Sequence, residues 1–184
     1  MRYAGIIYDD TAAAPGLCLS FYTQGCDIHC PGCHNPETWD FDGGHEFTGD
    51  TMNNILNGIS KNGILRNFCV LGGEPLSTKN MFLTAMVVQT VRQALPQIKI
   101  WVWSGYNMEQ IVPYGSNPHL ALILNNIDAI VAGPFEQDKR DITLPYRGSS
   151  NQIVWYLDRE KNIWYNKEND MRYDNVRRNH QDGT

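Results

Sequence analysis

The chain has 184 residues, a formal net charge of -5 and five cysteines. That length suits one domain with a sizeable core, and the acidic balance gives no support to binding of nucleic acid or a membrane surface. No apolar run approaches membrane-spanning length, and the first sixteen residues do not read as a signal peptide. We therefore expect a cytoplasmic protein. Thiols stay reduced there, and an odd number of clustered cysteines favours metal binding over disulfides.

Strand and helix signals alternate through most of the chain. Short apolar runs predict four strands, at 17–23, 64–71, 99–105 and 128–133. Helical spacing predicts a first helix at 51–61, with Asp50 as its N-cap. A second helix is predicted to start at Ser77 or Thr78 and to end before Pro96.

The last part of the chain has a different pattern. Two aromatic runs, 153–157 and 162–166, flank a polar turn and predict a terminal hairpin. The residues beyond the hairpin are polar with mixed charges, which is typical of a mobile tail. We therefore expect a single domain at 1–157 and a polar extension at 158–184.

Alternating strands and helices imply an α/β fold built from parallel β-α units. In such sheets the functional loops follow the carboxyl ends of the strands. Here the loops are the cysteine-containing stretch GCDIHCPGC, GGEP (72–75), WSGY (103–106) and AGPF (132–135). We expect these four loops to converge on one rim of the sheet.

The cysteines of the first loop have the spacing C-x3-C-x2-C, at Cys26, Cys30 and Cys33. A closed zinc site needs four ligands, and His29 or His34 could provide the fourth. Thiolates also suit iron–sulfur clusters, and three cysteines would leave one iron of a four-iron cluster open to a substrate. The spacing alone leaves these two interpretations near parity.

The motifs around the cysteines resemble the radical S-adenosylmethionine (radical SAM) superfamily, whose signature is C-x3-C-x2-C after one strand and a GGE-type motif after the next. More closely, the chain resembles the activating enzymes of anaerobic (class III) ribonucleotide reductases. The segments that carry the resemblance are APG (14–16), GCDIHCPGCHNPETW (25–39), LGGEPL (71–76), IWVWSGY (100–106) and RGSSNQ (147–152). The resemblance implies an incomplete β/α barrel of the radical SAM type.

The resemblance also implies a mechanism. Cys26, Cys30 and Cys33 would hold a [4Fe-4S] cluster whose fourth iron is chelated by S-adenosylmethionine. Reductive cleavage of S-adenosylmethionine would yield a radical that takes hydrogen from a glycine in the large subunit of anaerobic ribonucleoside-triphosphate reductase. A low-potential carrier such as flavodoxin would donate the electron. Neither nucleic acid nor a membrane is expected as a partner.

Eight further residues are implied to contact the cofactors. They are Gly32, His34, Gly72, Gly73, Glu74, Ser104, Gly105 and Asn151. Gly72 and Gly73 would let the backbone approach the methionine amino group closely, although a lone Gly-Gly pair is also typical of a simple strand-to-helix turn. Glu74 would orient that turn. For Asn151, cofactor contact and a structural turn are equally plausible.

Three positions depart from the family pattern. Cys18 stands where an arginine is common, His34 where an aromatic is usual, and Ala132 where an aspartate is usual. Two other functions stay open. The chain could activate another glycyl-radical enzyme of the formate-lyase type, or it could be a zinc-stabilised binding module without catalysis.

Overall fold

The computed structural model describes residues 1–113, 117–169 and 171–175, and its centre is a large open sheet. Its strands are β1 (Arg2–Asp10), β2 (Cys18–Thr23), β3 (His45–Glu46), β4 (Asn67–Gly72), β5 (Ile100–Ser104), β6 (Ala129–Ala132), β7 (Ile153–Asp158), β8 (Ile163–Asn166) and β9 (Arg172–Asp174). They lie in the order β3-β1-β2-β4-β5-β6-β7-β8-β9, with β3 and β9 at the edges. The fold is therefore mixed α/β with a sheet that does not close.

The middle of the sheet is parallel and its flanks are antiparallel. β2, β4, β5 and β6 pair in parallel, as the predicted β-α units require. β1 pairs antiparallel with β2, although no strand was predicted for this segment. The structure thus confirms the α/β class, while antiparallel strands extend the sheet on both sides of the parallel part.

The predicted terminal hairpin is present, with β7 and β8 paired antiparallel. β9 then pairs with β8, so the prediction of a mobile tail is wrong for this strand. Trp164 of β8 is completely buried, and its indole N–H donates to Asn175 Oδ1 at 2.9 Å. Apolar burial therefore continues beyond residue 158; residues 176–184 of the predicted tail lie outside the described residues.

Helices connect the parallel strands. Within the described residues they are α1 (Gly49–Ile59), α2 (Met81–Ala94), α3 (Met108–Ile111) and α4 (Pro118–Asn126). The predicted caps are wrong by a few residues. Thr48 caps α1 and forms a capping box with Thr51, whereas Asp50 lies inside the first turn. Asn80, rather than Ser77 or Thr78, precedes α2. No described helix is long and apolar enough to cross a bilayer.

Side chains alternate between the two faces of the parallel strands, as strand geometry demands. On one face Leu19 and Phe21 belong to the main core, which is shared with the helices. On the other face Cys18 belongs to a smaller cluster, in which Cys69 and Trp101 pack with Ala13 and Ala14. A wide cavity opens beside this second cluster, at the carboxyl ends of the parallel strands.

Candidate cofactor site

The four loops expected at one rim do meet there. They enclose a cavity of about 550 Å³ together with residues from β1 and from the loop before β7. Nine of the eleven predicted site residues line it: Cys26, Cys30, Cys33, His34, Gly72, Gly73, Glu74, Ser104 and Gly105. The topological argument from parallel strands therefore predicted correctly which parts of the chain come together.

The cysteine loop is closed at its base. Gly25 N–H donates to Thr38 O at 2.7 Å, and Cys26 N–H donates to Trp39 O at 3.0 Å. Within the loop, Cys33 N–H donates to the carbonyl of Cys30 at 3.1 Å, which forms a tight turn between these cysteines. The backbone therefore fixes the loop that carries all three thiols.

Two of the three sulfur atoms accept a backbone hydrogen bond. Cys26 Sγ and Cys33 Sγ each accept from the N–H two residues further along the chain, at 3.4 Å. The backbone of Phe135, in the loop after β6, acts on the third thiol, Cys30, in the direction that lowers its pKa. Amide donors around the sulfur ligands are one of the features that stabilise iron–sulfur clusters and set their potential.

The thiols are partly withdrawn from solvent. Burial raises the pKa of Cys26 and of Cys30, which disfavours a free thiolate at either position. A bound metal deprotonates its thiol ligands, and the amide donors then stabilise the charge on sulfur. A set of three thiols on the wall of one cavity, two of them with backbone N–H partners, has the donor chemistry of an iron–sulfur site.

The two histidines near the cysteines both contact aromatic rings. The His29 ring lies 4.7 Å from the Trp39 ring, centroid to centroid, and His29 does not line the cavity. The His34 ring meets Phe135 edge-on at 5.5 Å and does line it. In the described part of the chain, no group of three or more His, Cys, Asp or Glu side chains is arranged to hold a single metal ion, so the three thiols are not gathered around one point as a zinc ion would require.

The Gly-Gly turn after β4 packs directly on the cysteine loop. A Cβ atom on Gly73 would lie 2.3 Å from the carbonyl oxygen of Gly25, closer than any real Cβ contact. Glu74 N–H donates to that same oxygen at 2.8 Å, and the Asn80 amide donates to it at 2.8 Å. Glycine is therefore required at position 73 because the turn after β4 packs against the cysteine loop. The sequence alone had suggested a different reason, which was close approach of the backbone to the cofactor.

Glu74 is a buried carboxylate that joins the loops after β4 and β5. Its Oε1 accepts from Ser104 Oγ at 2.8 Å and from Leu76 N–H at 2.8 Å, and its Oε2 accepts from Gly105 N–H at 2.7 Å. Burial raises the pKa of Glu74 to about 7, although these three donors oppose the shift. Through its bond with Leu76 N–H, Glu74 orients the turn, as expected. It also accepts hydrogen bonds from the Ser104 hydroxyl and the Gly105 N–H, two residues that had been predicted to contact the cofactor.

Two predicted site residues are not among the residues that line the cavity. Gly32 lies against Gln137, whose Oε1 would be 2.4 Å from a Cβ at position 32. Asn151 donates from Nδ2 to the carbonyl of Pro134 at 2.7 Å, which is the contact of a structural turn. Its Oδ1 is buried without a partner among the described residues.

Comparison with known proteins supplies an independent line of evidence. The model of the family described as "4Fe-4S single cluster domain" matches residues 12–155. The anaerobic ribonucleoside-triphosphate reductase-activating protein of Escherichia coli (strain K12) is 35% identical over 158 residues, which are 85% of this chain and 99% of that protein. The protein of the same name from Vibrio cholerae is 31% identical over 84% of this chain and 97% of its own length. That of Enterobacteria phage T4 is 31% identical over 84% and 94%.

This chain belongs to the family of anaerobic ribonucleoside-triphosphate reductase-activating proteins. The resemblance seen in the cysteine, GGEP and RGSSNQ segments is thereby confirmed. The family model ends at residue 155, so β8 and β9 lie beyond the region that it matches.

The positions that depart from the family pattern have different surroundings. Cys18 is completely buried at the start of β2, with its Sγ 3.6 Å from the carbonyl of Ala14. Ala132 is 2% exposed at the end of β6. His34 alone of the three lines the cavity, so it is the departure that can affect a bound ligand.

Several cavity residues were not assigned from the sequence. They are Ile7, Asp10, Tyr22, Trp39, Phe135, Tyr146, Arg147 and Gln152, among others. Trp39 and Arg147 belong to two segments that carried the family resemblance, so a signal for them was present. No sequence signal pointed to Asp10, because it lies on β1, which has no clear strand pattern.

Proposed function

We propose that this chain activates an anaerobic ribonucleoside-triphosphate reductase as a radical SAM enzyme. The observation that carries the proposal is the arrangement of Cys26, Cys30 and Cys33 on one cavity wall, with backbone N–H donors to the sulfurs of Cys26 and Cys33. The names of the relatives support the reductase as the partner. The Gly-Gly turn on the same cavity supports a site for S-adenosylmethionine beside the cluster.

In this proposal Cys26, Cys30 and Cys33 would hold a [4Fe-4S] cluster, which would supply the electron for reductive cleavage of S-adenosylmethionine and thereby for formation of a glycyl radical on the reductase. The chain's own residues bind and orient. The loop that begins at Gly25 fixes the thiols, and Glu74 holds the loops after β4 and β5 in register. Gly32 and Asn151, which do not line the cavity, act as supports behind its wall.

The parallel part of the fold supports the same proposal. Four parallel strands, β2, β4, β5 and β6, with connecting helices supply β-α units of the kind that the family resemblance implies, although the large open sheet with its antiparallel flanks fits an incomplete β/α barrel poorly. We propose that residues 1–157 form this radical SAM domain and that the extension from 158 adds antiparallel strands to its sheet. A flavodoxin-like carrier would then reduce the cluster from the open side of the cavity.

The proposal is tested by mixing the chain, loaded with iron and sulfide without oxygen, with the large subunit of an anaerobic ribonucleoside-triphosphate reductase. Reduced flavodoxin and S-adenosylmethionine are added, and the glycyl radical is recorded by electron paramagnetic resonance. The expected result is a radical on the reductase and none on a formate lyase treated in the same way. A radical only on the formate lyase would contradict the proposed partner, and no radical on either would contradict the proposed activity.

A further inference from the structure

The loop between β6 and β7 forms one side of the cavity and exposes a large apolar side chain. Phe135, near the start of this loop, and Tyr146, near its end, both line the cavity. Between them lies Ile142, which is 80% exposed, whereas the other exposed large apolar side chains of the described residues are 43% to 53% exposed. Single exposed aliphatic residues are common on protein surfaces. Ile142 differs from them in the rigidity and the position of its loop.

The loop is held on both sides of the exposed isoleucine. Its two limbs are joined by hydrogen bonds from Ser150 N–H to the Lys139 carbonyl at 2.9 Å and from Asp141 N–H to the Gly148 carbonyl at 3.1 Å. At the tip, Asp141 Oδ1 accepts from the N–H and from the hydroxyl of Thr143, at 2.9 and 2.6 Å. These bonds fix the backbone that presents the isoleucine to solvent. A partner that covers it therefore has little ordering left to induce, which favours affinity.

The tip of the loop is also tied to the cavity wall. The indole N–H of Trp103 donates to the carbonyl of Tyr146 at 2.8 Å, and both residues line the cavity. Ile142 precedes Tyr146 by four residues, so it lies beside the mouth. At the other side of the parallel strands, Ile7 of β1 lines the cavity and is 48% exposed, which places it at the opening too. Exposed aliphatic side chains therefore flank the cavity mouth on two sides.

A cation accompanies Ile142 on the loop. Arg140 is exposed, and its side chain forms no hydrogen bond or ion pair with the described residues. The neighbouring Lys139, by contrast, pairs with Glu136 at 2.7 Å. Arginine is enriched in protein–protein interfaces, where its planar fork can bind a carboxylate of the partner. The loop tip thus offers a partner one apolar contact and one unpaired positive charge.

We propose that Arg140 and Ile142 form a docking point for the segment of the reductase large subunit that carries the glycine. This inference rests on the proposed function. A glycine of another protein can react in the cavity only if it enters through the mouth, so its chain must cover the loop tip beside the mouth. The complementary surface on the partner is an apolar patch for Ile142 next to a carboxylate for Arg140.

The test measures binding and needs no turnover. The reconstituted protein is immobilised without oxygen and without a reductant, and dissociation constants for the cognate reductase large subunit are obtained by biolayer interferometry at low and high salt. The variants are Ile142→Ala and Arg140→Gln. Ile64→Ala and Lys61→Gln are the matched controls, because both residues are exposed and lie before β4, at the opposite end of the parallel strands.

Ile142→Ala should weaken binding by about fivefold or more, because a buried anchor of the interface is truncated. It should fold as wild type does, since a side chain that is 80% exposed contributes little to stability. Arg140→Gln should weaken binding at low salt, and its difference from wild type should shrink at high salt, which screens the charge. The two controls should bind as wild type does.

Wild-type affinity in Ile142→Ala, or an equal loss in Ile64→Ala, would overturn the docking role of the loop and leave the proposed function standing. No loss in Arg140→Gln, or a loss that does not depend on salt, would overturn the carboxylate partner of Arg140. A wild-type protein that does not bind the reductase subunit would overturn the proposed partner and this inference with it. The wild-type measurement therefore distinguishes the two failures.

Discussion

The carboxylate of Glu74 accepts a 2.8 Å hydrogen bond from the hydroxyl of Ser104, and both residues are almost fully buried. This bond joins the loop after β4 to the last residue of β5, at the rim where the cysteines lie. A buried acid in this position makes the geometry of the rim depend on its protonation state.

The stability of the protein should therefore respond to pH through Glu74. Burial raises its pKa from 4.5 to about 7, so the folded state holds an extra proton between these values. The contribution of Glu74 to the free energy of unfolding should then fall as the pH rises through this window. Urea unfolding of wild type and Glu74→Gln, followed by tryptophan fluorescence from pH 5 to 8, measures the effect. The free energy of unfolding of wild type, relative to that of the variant, should decrease as the pH rises. A difference that does not change with pH would contradict a raised pKa for Glu74.

Cys30→Ala should abolish retention of a four-iron cluster and formation of 5'-deoxyadenosine, because the cluster would lose one of three thiolate ligands. Cys69→Ala is the matched control, since Cys69 is a completely buried residue of β4 in the small core cluster. It should keep its iron and sulfide and lose only some stability. Iron and sulfide analysis of both variants, purified without oxygen, decides. Full iron content in Cys30→Ala would be incompatible with the three-ligand site.

Gly73→Ala should separate the Gly-Gly turn from the cysteine loop, because its Cβ would lie 2.3 Å from the Gly25 carbonyl oxygen. We expect a loss of about 1–3 kcal/mol in the free energy of unfolding, as for other overpacked sites. We also expect weaker binding of S-adenosylmethionine. Gly49→Ala is the control, because nothing lies within 4 Å of a Cβ at the start of α1. It should change stability by less than about 1 kcal/mol; equal effects of the two substitutions would count against loop packing.

Trp164→Ala should destabilise the whole protein, because this side chain is completely buried although it lies beyond the region that the family model matches. The expected loss is about 3–5 kcal/mol. Ile142→Ala, at an 80% exposed position, should change stability by less than about 0.5 kcal/mol. Both are measured by urea unfolding. A small loss for Trp164→Ala would mean that β8 and β9 form a separate appendage.

Much of the fold was predictable, because the parallel strands are buried on both faces and therefore appear as continuous apolar runs. The run ending at Thr23 and the run around Trp101 are examples. β1 was missed because Arg2–Asp10 mixes half-buried and exposed residues, with no regular alternation. The start of α2 was misplaced because Ser77 bonds to Asp27 across the loops, a contact that propensity cannot anticipate.

The lining of the cavity was predictable to a similar extent. The cysteine spacing, the positions of loops after parallel strands and the family resemblance together named nine residues that line it, while their contacts with a cofactor stay a prediction. The role of Glu74 as a tie between the loops and the ion pair of Arg147 with Glu168 could not be predicted. Both depend on partners far away in the chain, Ser104 and Glu168 respectively.

The most direct test of the central claim uses the protein purified without oxygen. Its iron and sulfide content and its visible absorption are recorded, and dithionite and S-adenosylmethionine are then added. The account predicts a brown protein with four irons and four sulfides per chain that releases 5'-deoxyadenosine. A colourless protein that holds zinc, and that forms no 5'-deoxyadenosine even after reconstitution with iron and sulfide, would contradict it.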